Sequence, residues 1–150
     1  MAAMKWKARA GAIAIALMLP MALLAAPIKA ALYKNPQCGC CEEYAQYLRD
    51  NGFDVTVKST HDLAQINREA GISEALEGCH TVLVQDYVVS GHVPVDVVNK
   101  MLAERPPIVG ITLPGMPAGS PGMTGTKAGP FEIYSVSKGG GSSPQVYAVR

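Results

Sequence analysis

The distribution of cysteines constrains this chain more than any other feature. Cys38, Cys40 and Cys41 fall within four consecutive residues, and the fourth cysteine, Cys79, directly precedes His80. Thiolate is a soft ligand that selects Cu(I), Zn(II) or iron–sulfur centres over hard cations. It is also the reactive group of thiol–disulfide exchange. Most of what the sequence says about function therefore depends on which of these two chemistries the cysteines serve.

The N-terminal segment has the pattern of an export signal. The first nine residues carry three basic side chains and no acidic one, and residues 11–26 that follow are uncharged and mostly apolar. Small residues lie at the end of this run, so we predict cleavage after Ala25, with a cut as late as Ala30 as the alternative. The alternative interpretation is that this apolar run forms a buried N-terminal helix. Export would place the mature protein in the periplasm and limit its membrane contact to the signal.

Charge and length narrow the classes of function. Removal of residues 1–25 takes away three basic side chains, so the formal charge falls from +1 to −2. No basic field remains that would favour nucleic acid as a partner. The remaining chain is long enough to bury the core of one domain. Because disulfides persist outside the cytoplasm, four cysteines could also form two bridges, with three connectivities open.

Apolar periodicity predicts an α/β order of elements up to residue 105. Cys41, Tyr44, Ala45 and Leu48 follow helical spacing, and Asn51-Gly52 would end that helix. Alternating residues predict strands before and after it, and Thr60 or Ser59 would cap a second helix. The remaining predicted elements are a strand over 81–84, its hairpin partner over 87–90, and a third helix starting at Pro94 and ending at Arg105.

The C-terminal part differs in composition. Residues 106–130 are dense in glycine and proline, which predicts a long loop that is functional or disordered. Strands are predicted over 131–136 and 145–149, joined by Gly139-Gly140-Gly141. We therefore divide the chain into a signal, a metal-binding core over 32–105, and a loop and terminal β-hairpin over 106–150 of the same domain.

The element order resembles the thioredoxin fold, a mixed sheet flanked by helices. Cys38 and Cys41 have the spacing and the place of that family's Cys-x-x-Cys pair, between the first strand and its helix. Where the family has Gly-x-Pro-Thr before its hairpin, this chain has Gly78-Cys79-His80-Thr81, so His80 replaces the cis-proline. The resemblance thus implies the fold, and the departure implies ligand atoms at one end of the sheet.

Four motifs in order are similar to a narrower family. They are Cys-Gly-Cys-Cys, Cys-His-Thr, Gly-His-Val-Pro and Gly-Met-Pro…Gly-Ser-Pro-Gly-Met. The family consists of small exported bacterial metal-binding proteins, known as a domain of unknown function, and some members are called CopG-type copper resistance proteins. This resemblance implies copper handling in the periplasm, with copper ions and other periplasmic copper-handling proteins as partners.

The cysteine motif suits a metal cluster. Its three thiols straddle a helix N-terminus, where peptide N–H groups and the helix dipole stabilise thiolate. Three thiolates this close cannot easily chelate one ion, but they can bridge several Cu(I) ions, and Cys79 would close such a cluster from the facing strand. Zinc is the alternative metal, although the paired Cys-x-x-Cys arms of a zinc knuckle are absent.

Histidines and methionines complete the predicted ligand set. His80 follows by its position beside Cys79. In a thioredoxin-like sheet the second hairpin strand ends near the cysteines, which makes His92 a further candidate ligand, with a capped or exposed histidine as the alternative. His61 is predicted to lie on the surface. Met116 and Met123 are thioethers in a polar, glycine-rich loop, which suggests a soft-metal lid, with ordinary loop packing as the alternative.

An enzymatic function stays open from the sequence. A thiol–disulfide oxidoreductase would use Cys38 as the exposed nucleophile and Cys41 as the resolving thiol. The replacement of the family proline by His80 counts against it. A third interpretation combines both chemistries, with a cluster that changes copper between its two oxidation states.

Overall fold

The computed structural model describes residues 26–138 and 143–150. The predicted export signal and the glycine-rich joint over 139–141 lie outside these residues. Within the described part, no helix has the length and apolar character needed to cross a membrane.

The described residues form seven strands and three helices, which follow the predicted order except that the fifth strand was not predicted. The helices are α1 (Gly39–Asp50), α2 (Leu63–Glu69) and α3 (Val95–Glu104), with a 3-10 turn at Glu74–Leu76. The strands are β1 (Ile28–Lys34), β2 (Phe53–Ser59), β3 (His80–Val84), β4 (Tyr87–Gly91), β5 (Gly110–Leu113), β6 (Glu132–Val136) and β7 (Gln145–Val149).

All seven strands form one mixed sheet in the order β2-β1-β3-β4-β5-β6-β7. The pairs β1–β2 and β4–β5 are parallel, and the other four neighbouring pairs are antiparallel. The predicted mixed α/β class is confirmed. The narrower assignment to the thioredoxin fold stays a prediction.

Helices α1 and α3 bury their apolar faces in the main core. The predicted α1 face is confirmed, because Cys41, Tyr44, Ala45 and Leu48 are all buried. Val97, Val98 and Met101 form the buried face of α3. This packing fixes the first turn of α1, which carries the cysteine motif, relative to the sheet.

Three sequence predictions need correction. Residues 106–130 are not loop throughout, because β5 lies among them and pairs in parallel with β4. Neither Thr60 nor Ser59 caps α2: its N-cap is Asp62, whose N–H donates to the Thr60 hydroxyl at 3.0 Å and so closes the preceding turn. Pro94 is the N-cap of α3 rather than its first helical residue, and its carbonyl accepts the N–H of Val97 at 3.0 Å.

Candidate metal centre

The topology brings the cysteine and histidine motifs to one end of the sheet. β1 leads through a turn into Cys38 and α1, and the antiparallel register pairs Lys34 at the end of β1 with His80 at the start of β3. β4 runs back beside β3 and ends at Gly91, directly before His92. The predicted convergence at this end is therefore confirmed.

Four sulfurs form a compact group, which we call the cysteine tetrad: Cys38, Cys40, Cys41 and Cys79. Their Sγ atoms all lie within 4.8 Å of one another. The Sγ of Cys79 is 3.8 Å from that of Cys40 and 3.5 Å from that of Cys41, and the Sγ of Cys40 is 3.5 Å from that of Cys38. Cys79, directly before β3, thus joins three cysteines from the motif at the start of α1.

The tetrad is half oxidised in this structure. A disulfide joins Cys38 to Cys41, with their Cα atoms 5.5 Å apart, while Cys40 and Cys79 are free. Of the two bridges that an oxidised chain could form, only this one is present. Because a bridged sulfur is not a thiolate, four thiolate ligands exist only after this disulfide is reduced.

A second ligand group shares Cys79 with the tetrad. The Cys79 Sγ lies 3.0 Å from Nε2 of His92 and 3.4 Å from Nδ1 of His80. Both imidazoles are fully buried, and the ligand atoms of the three residues lie within 4.8 Å of one another. We call this group the Cys–His triad.

Burial keeps the triad uncharged without a metal. Desolvation, with help from nearby Cys40, raises the pKa of the Cys79 thiol to about 12. Desolvation, with a smaller effect of His92, lowers the pKa of His80 to about 3. Burial also lowers the pKa of His92. A neutral imidazole is ready to bind a metal, whereas the thiol must release its proton to the incoming ion.

One ring nitrogen of His80 lacks a hydrogen-bond partner among the described residues. Its Nε2 is the one buried side-chain nitrogen or oxygen without a hydrogen-bond partner in the described residues. Leaving such an atom unpaired costs about 1–3 kcal/mol. The His80 nitrogen that faces the Cys79 sulfur is Nδ1 rather than this atom, so the triad leaves Nε2 unpaired.

Two glycines allow the strands of the triad to approach each other. A Cβ on Gly78, which precedes Cys79 by one residue, would lie 2.3 Å from the Cα of Gly91. A Cβ on Gly91, where φ is +72°, would lie 2.2 Å from the carbonyl oxygen of Leu113. The backbones carrying Cys79 and His92 are therefore in contact because Gly78 has no side chain, and the missing side chain of Gly91 lets Leu113 of β5 approach.

Tyr44 packs its ring against both histidines. Its ring stacks on His80 with centroids 4.6 Å apart and meets His92 edge-on at 5.4 Å. Its hydroxyl donates to the carbonyl of Val93 at 2.7 Å, and burial raises the pKa of the phenol above its usual range. The sequence predicted Tyr44 only as a packing residue, and this packing also orients the ligands.

The loop between β5 and β6 reaches the site through its backbone. The Pro121 carbonyl oxygen lies 2.7 Å from Nδ1 of His92, and Gly122 packs against the backbone of Cys40 and Tyr44 in α1. Met123 follows this contact and is half-buried, whereas Met116 is 43% exposed with φ at +47°. Metal binding by Met116 and Met123 stays a prediction. His61 is exposed, as predicted.

Lys34 is a site residue that the sequence did not reveal. Its side chain is only 3% exposed, and its ammonium group donates to the carbonyls of Pro36 and Cys38 at 3.2 Å and of Asn35 at 3.3 Å. It also pairs with the Glu42 carboxylate at 3.1 Å. One buried cation thus ties the turn before the cysteine motif to the first turn of α1. A single lysine in a strand pattern carries no signal for this role.

Replacing Lys34 by methionine should lower the free energy of unfolding by roughly 1–3 kcal/mol, because three carbonyls lose their donor. The partly exposed Glu42 ion pair adds less than about 1 kcal/mol. The matched control is Lys29→Met in the same strand, since Lys29 is exposed and should shift stability by no more than about 0.5 kcal/mol. Urea unfolding of both variants measures the difference, and equal effects would contradict this role.

Comparison with known proteins identifies a family and two solved structures that this chain resembles. Residues 76–123, which contain the Cys–His triad and the first part of the loop between β5 and β6, match a family described as "Protein of unknown function, DUF411". Two solved structures, form 2 and form 1 of the copper resistance protein CopG, superpose with TM-scores of 0.75 and 0.74. No protein of curated function matches.

The two structural matches also have similar sequences. Each is 31% identical to this chain, and each alignment covers 83% of this chain and 98% of the CopG chain. The similarity therefore extends over nearly the whole solved protein, and the family match falls on the segment that carries the buried histidines. On these grounds, this chain belongs to the DUF411/CopG-type family.

Proposed function

We propose that the protein binds copper as Cu(I), through the reduced cysteine tetrad and the two buried histidines, and contributes to copper resistance. The observation that carries the proposal is the junction at Cys79, whose sulfur lies within 4 Å of two other cysteine sulfurs and of both imidazoles. The family's CopG members, named for copper resistance, support copper as the metal.

The chemistry of the ligands favours Cu(I) over harder ions. Thiolates and thioethers select Cu(I), while carboxylates and carbonyls suit Mg²⁺, Ca²⁺ and Mn²⁺. No carboxylate belongs to either ligand group in the described residues. Four thiolates this close can be shared between ions, so we infer a site that holds more than one Cu(I). The half-buried Met123 and the exposed Met116 extend the supply of thioether ligands along the loop.

Copper binding should depend on the oxidation state of the tetrad. The anaerobic, fully reduced protein should bind more than one Cu(I) per chain, since all four thiolates are then available. The protein with the Cys38–Cys41 bridge intact keeps two cysteines and should bind fewer ions more weakly. Metal analysis after gel filtration, with thiols titrated in parallel, measures both states.

These measurements distinguish a copper site from a zinc site and from a pair of structural disulfides. Binding of zinc but not copper by the reduced protein would contradict the proposal. So would a protein that carries two disulfides in its active form and never takes up copper. Both metals are tested in buffers without chelator or cadmium, so that neither a competing ligand nor another soft metal affects the binding of copper or zinc.

Thiol–disulfide exchange is the second candidate function. The disulfide at the N-terminus of α1, with Cys38 half-buried and Cys41 fully buried, is the observation that favours it. An exchange enzyme needs only these two residues, so Cys40→Ser should leave its activity intact. A thiolate-bridged copper site loses a ligand in the same variant.

The proposed site of action is the periplasm. The export pattern supports it, and β1 favours the earlier of the two cleavage positions. A cut after Ala25 leaves β1 whole, whereas a cut after Ala30 removes its first three residues. Among them is Ile28, whose N–H donates to the Gly52 carbonyl at 3.1 Å.

A further inference from the structure

We propose that the turn formed by residues 120–123 positions His92, so that its Nε2 atom, rather than Nδ1, is presented to the metal. The inference rests on the copper-binding function proposed above. It assigns a role to the backbone of the loop between β5 and β6, which is independent of its methionines.

The contact with Pro121 selects one tautomer of His92. A carbonyl oxygen can only accept a hydrogen bond, so the proton on this side must reside on Nδ1 of His92, 2.7 Å away. Because a neutral imidazole has a single N–H, Nε2 then carries the lone pair. That atom lies 3.0 Å from the Cys79 Sγ, at the junction of the two ligand groups. In metal sites, a partner of this kind on the far ring nitrogen fixes the ligand's tautomer and orientation.

The sequence of the turn determines where the Pro121 carbonyl points. The Met123 N–H donates to the Ser120 carbonyl at 2.9 Å, with Pro121 and Gly122 as the central residues and φ of Gly122 at +78°. Proline followed by a residue with positive φ defines a type II turn. Type I turns place the peptide between the two central residues in the opposite orientation, because ψ of the first central residue changes from about +120° to about −30°. A type I turn here would direct the Pro121 carbonyl away from His92.

The turn also packs against α1, the helix that carries the cysteine motif. A Cβ on Gly122 would lie 2.7 Å from the backbone nitrogen of Tyr44 and 3.2 Å from the carbonyl oxygen of Cys40. Ser120 is buried, and its hydroxyl donates to the Pro117 carbonyl at 2.7 Å, which braces the turn from the other side. The loop therefore contacts the helix of the tetrad and the histidine of the triad with adjacent residues.

Gly122→Ala tests this arrangement, and Gly115→Ala is its control. Both glycines have φ at +78° in the same loop, but a Cβ on Gly115 meets nothing within 4 Å. Alanine at either position bears the cost of positive φ, and only alanine at 122 also collides with α1. Only Gly122→Ala should therefore break the bond between Pro121 and His92.

The tautomer of His92 is read by ¹⁵N NMR of the reduced, metal-free protein. We expect the Nδ1–H form in the wild type and in Gly115→Ala, and a substantial Nε2–H population in Gly122→Ala. Cu(I) affinity, measured anaerobically by competition with a chromophoric Cu(I) chelator, should fall about 10–100-fold in Gly122→Ala alone, as is typical when a ligand loses its orienting partner.

Two results would overturn the inference: an Nε2–H tautomer in the wild type, or a folded Gly122→Ala protein with unchanged tautomer and affinity. The wild-type spectrum decides the first of these even if Gly122→Ala fails to fold. A wild-type protein with the Nδ1–H tautomer but no affinity for Cu(I) would instead overturn the proposed function.

Discussion

Cys79→Ser is expected to reduce Cu(I) binding more than any other single substitution in the protein. Cys79 is the one residue that belongs to both the cysteine tetrad and the Cys–His triad. Serine preserves the size of the side chain but offers an oxygen that Cu(I) binds poorly. We expect an affinity loss larger than the roughly 10–100-fold caused by losing a residue that only orients a ligand.

Cys40→Ser is the matched comparison for this prediction. Both variants exchange one half-buried cysteine for serine, but Cys40 belongs to the tetrad alone. Cys40→Ser should therefore lower the number of bound Cu(I) ions while the triad retains some copper. Equal Cu(I) stoichiometry and affinity in the two variants, measured by anaerobic titration, would show that Cys79 is not the junction of the site.

The metal-free protein should lose stability in acid because of His80. Its pKa is about 3 in the folded state and near 6.5 in the unfolded chain, so below pH 6.5 the unfolded state binds more protons. The free energy of unfolding should therefore fall as the pH drops from about 6.5 toward 3. For one histidine the slope reaches at most about 1.4 kcal/mol per pH unit. Urea unfolding at a series of pH values measures this slope.

His80→Phe should reduce the acid-induced loss. Phenylalanine preserves the stack on Tyr44 and removes both the titrating group and the unpaired Nε2. Below pH 5 the variant should be more stable than the wild type, and His92, whose pKa is also lowered by burial, accounts for the remaining slope. His61→Phe is the control, because His61 is exposed and should leave the slope unchanged. If the free energy of unfolding of His80→Phe falls with pH as steeply as that of the wild type, the acid sensitivity comes from a group other than His80.

Much of the fold could be predicted because most elements have a clear period. Helix α1 shows its buried face in every third or fourth residue, and the strands β3, β4, β6 and β7 were predicted within two residues of their ends. The exception is β5, which has only four residues, begins with Gly110 and is followed by Pro114. A strand this short shows no alternation, and its two edges are paired by β4 and β6, which are distant in sequence.

The candidate site was predictable only in its side-chain chemistry. Cysteine and histidine carry their ligand character in the residue type, so the clusters around Cys79 could be anticipated from topology. The groups that hold these side chains in place could not be anticipated, because they are backbone carbonyls and buried contacts. They are the Pro121 carbonyl and the carbonyls that surround Lys34. Nothing in a residue's identity indicates where its carbonyl will point after folding.

The central position of β4 has a consequence for how the chain can be shortened. All five residues of β4 are buried, and its outer edge is paired with β5, from the segment beyond residue 105. A chain ending at 105 would keep every cysteine and histidine of the site, yet it would turn an apolar inner strand into an open edge. Such edges pair with other chains and aggregate. Residues 106–150 are therefore expected to keep the domain soluble, in addition to supporting the candidate metal centre.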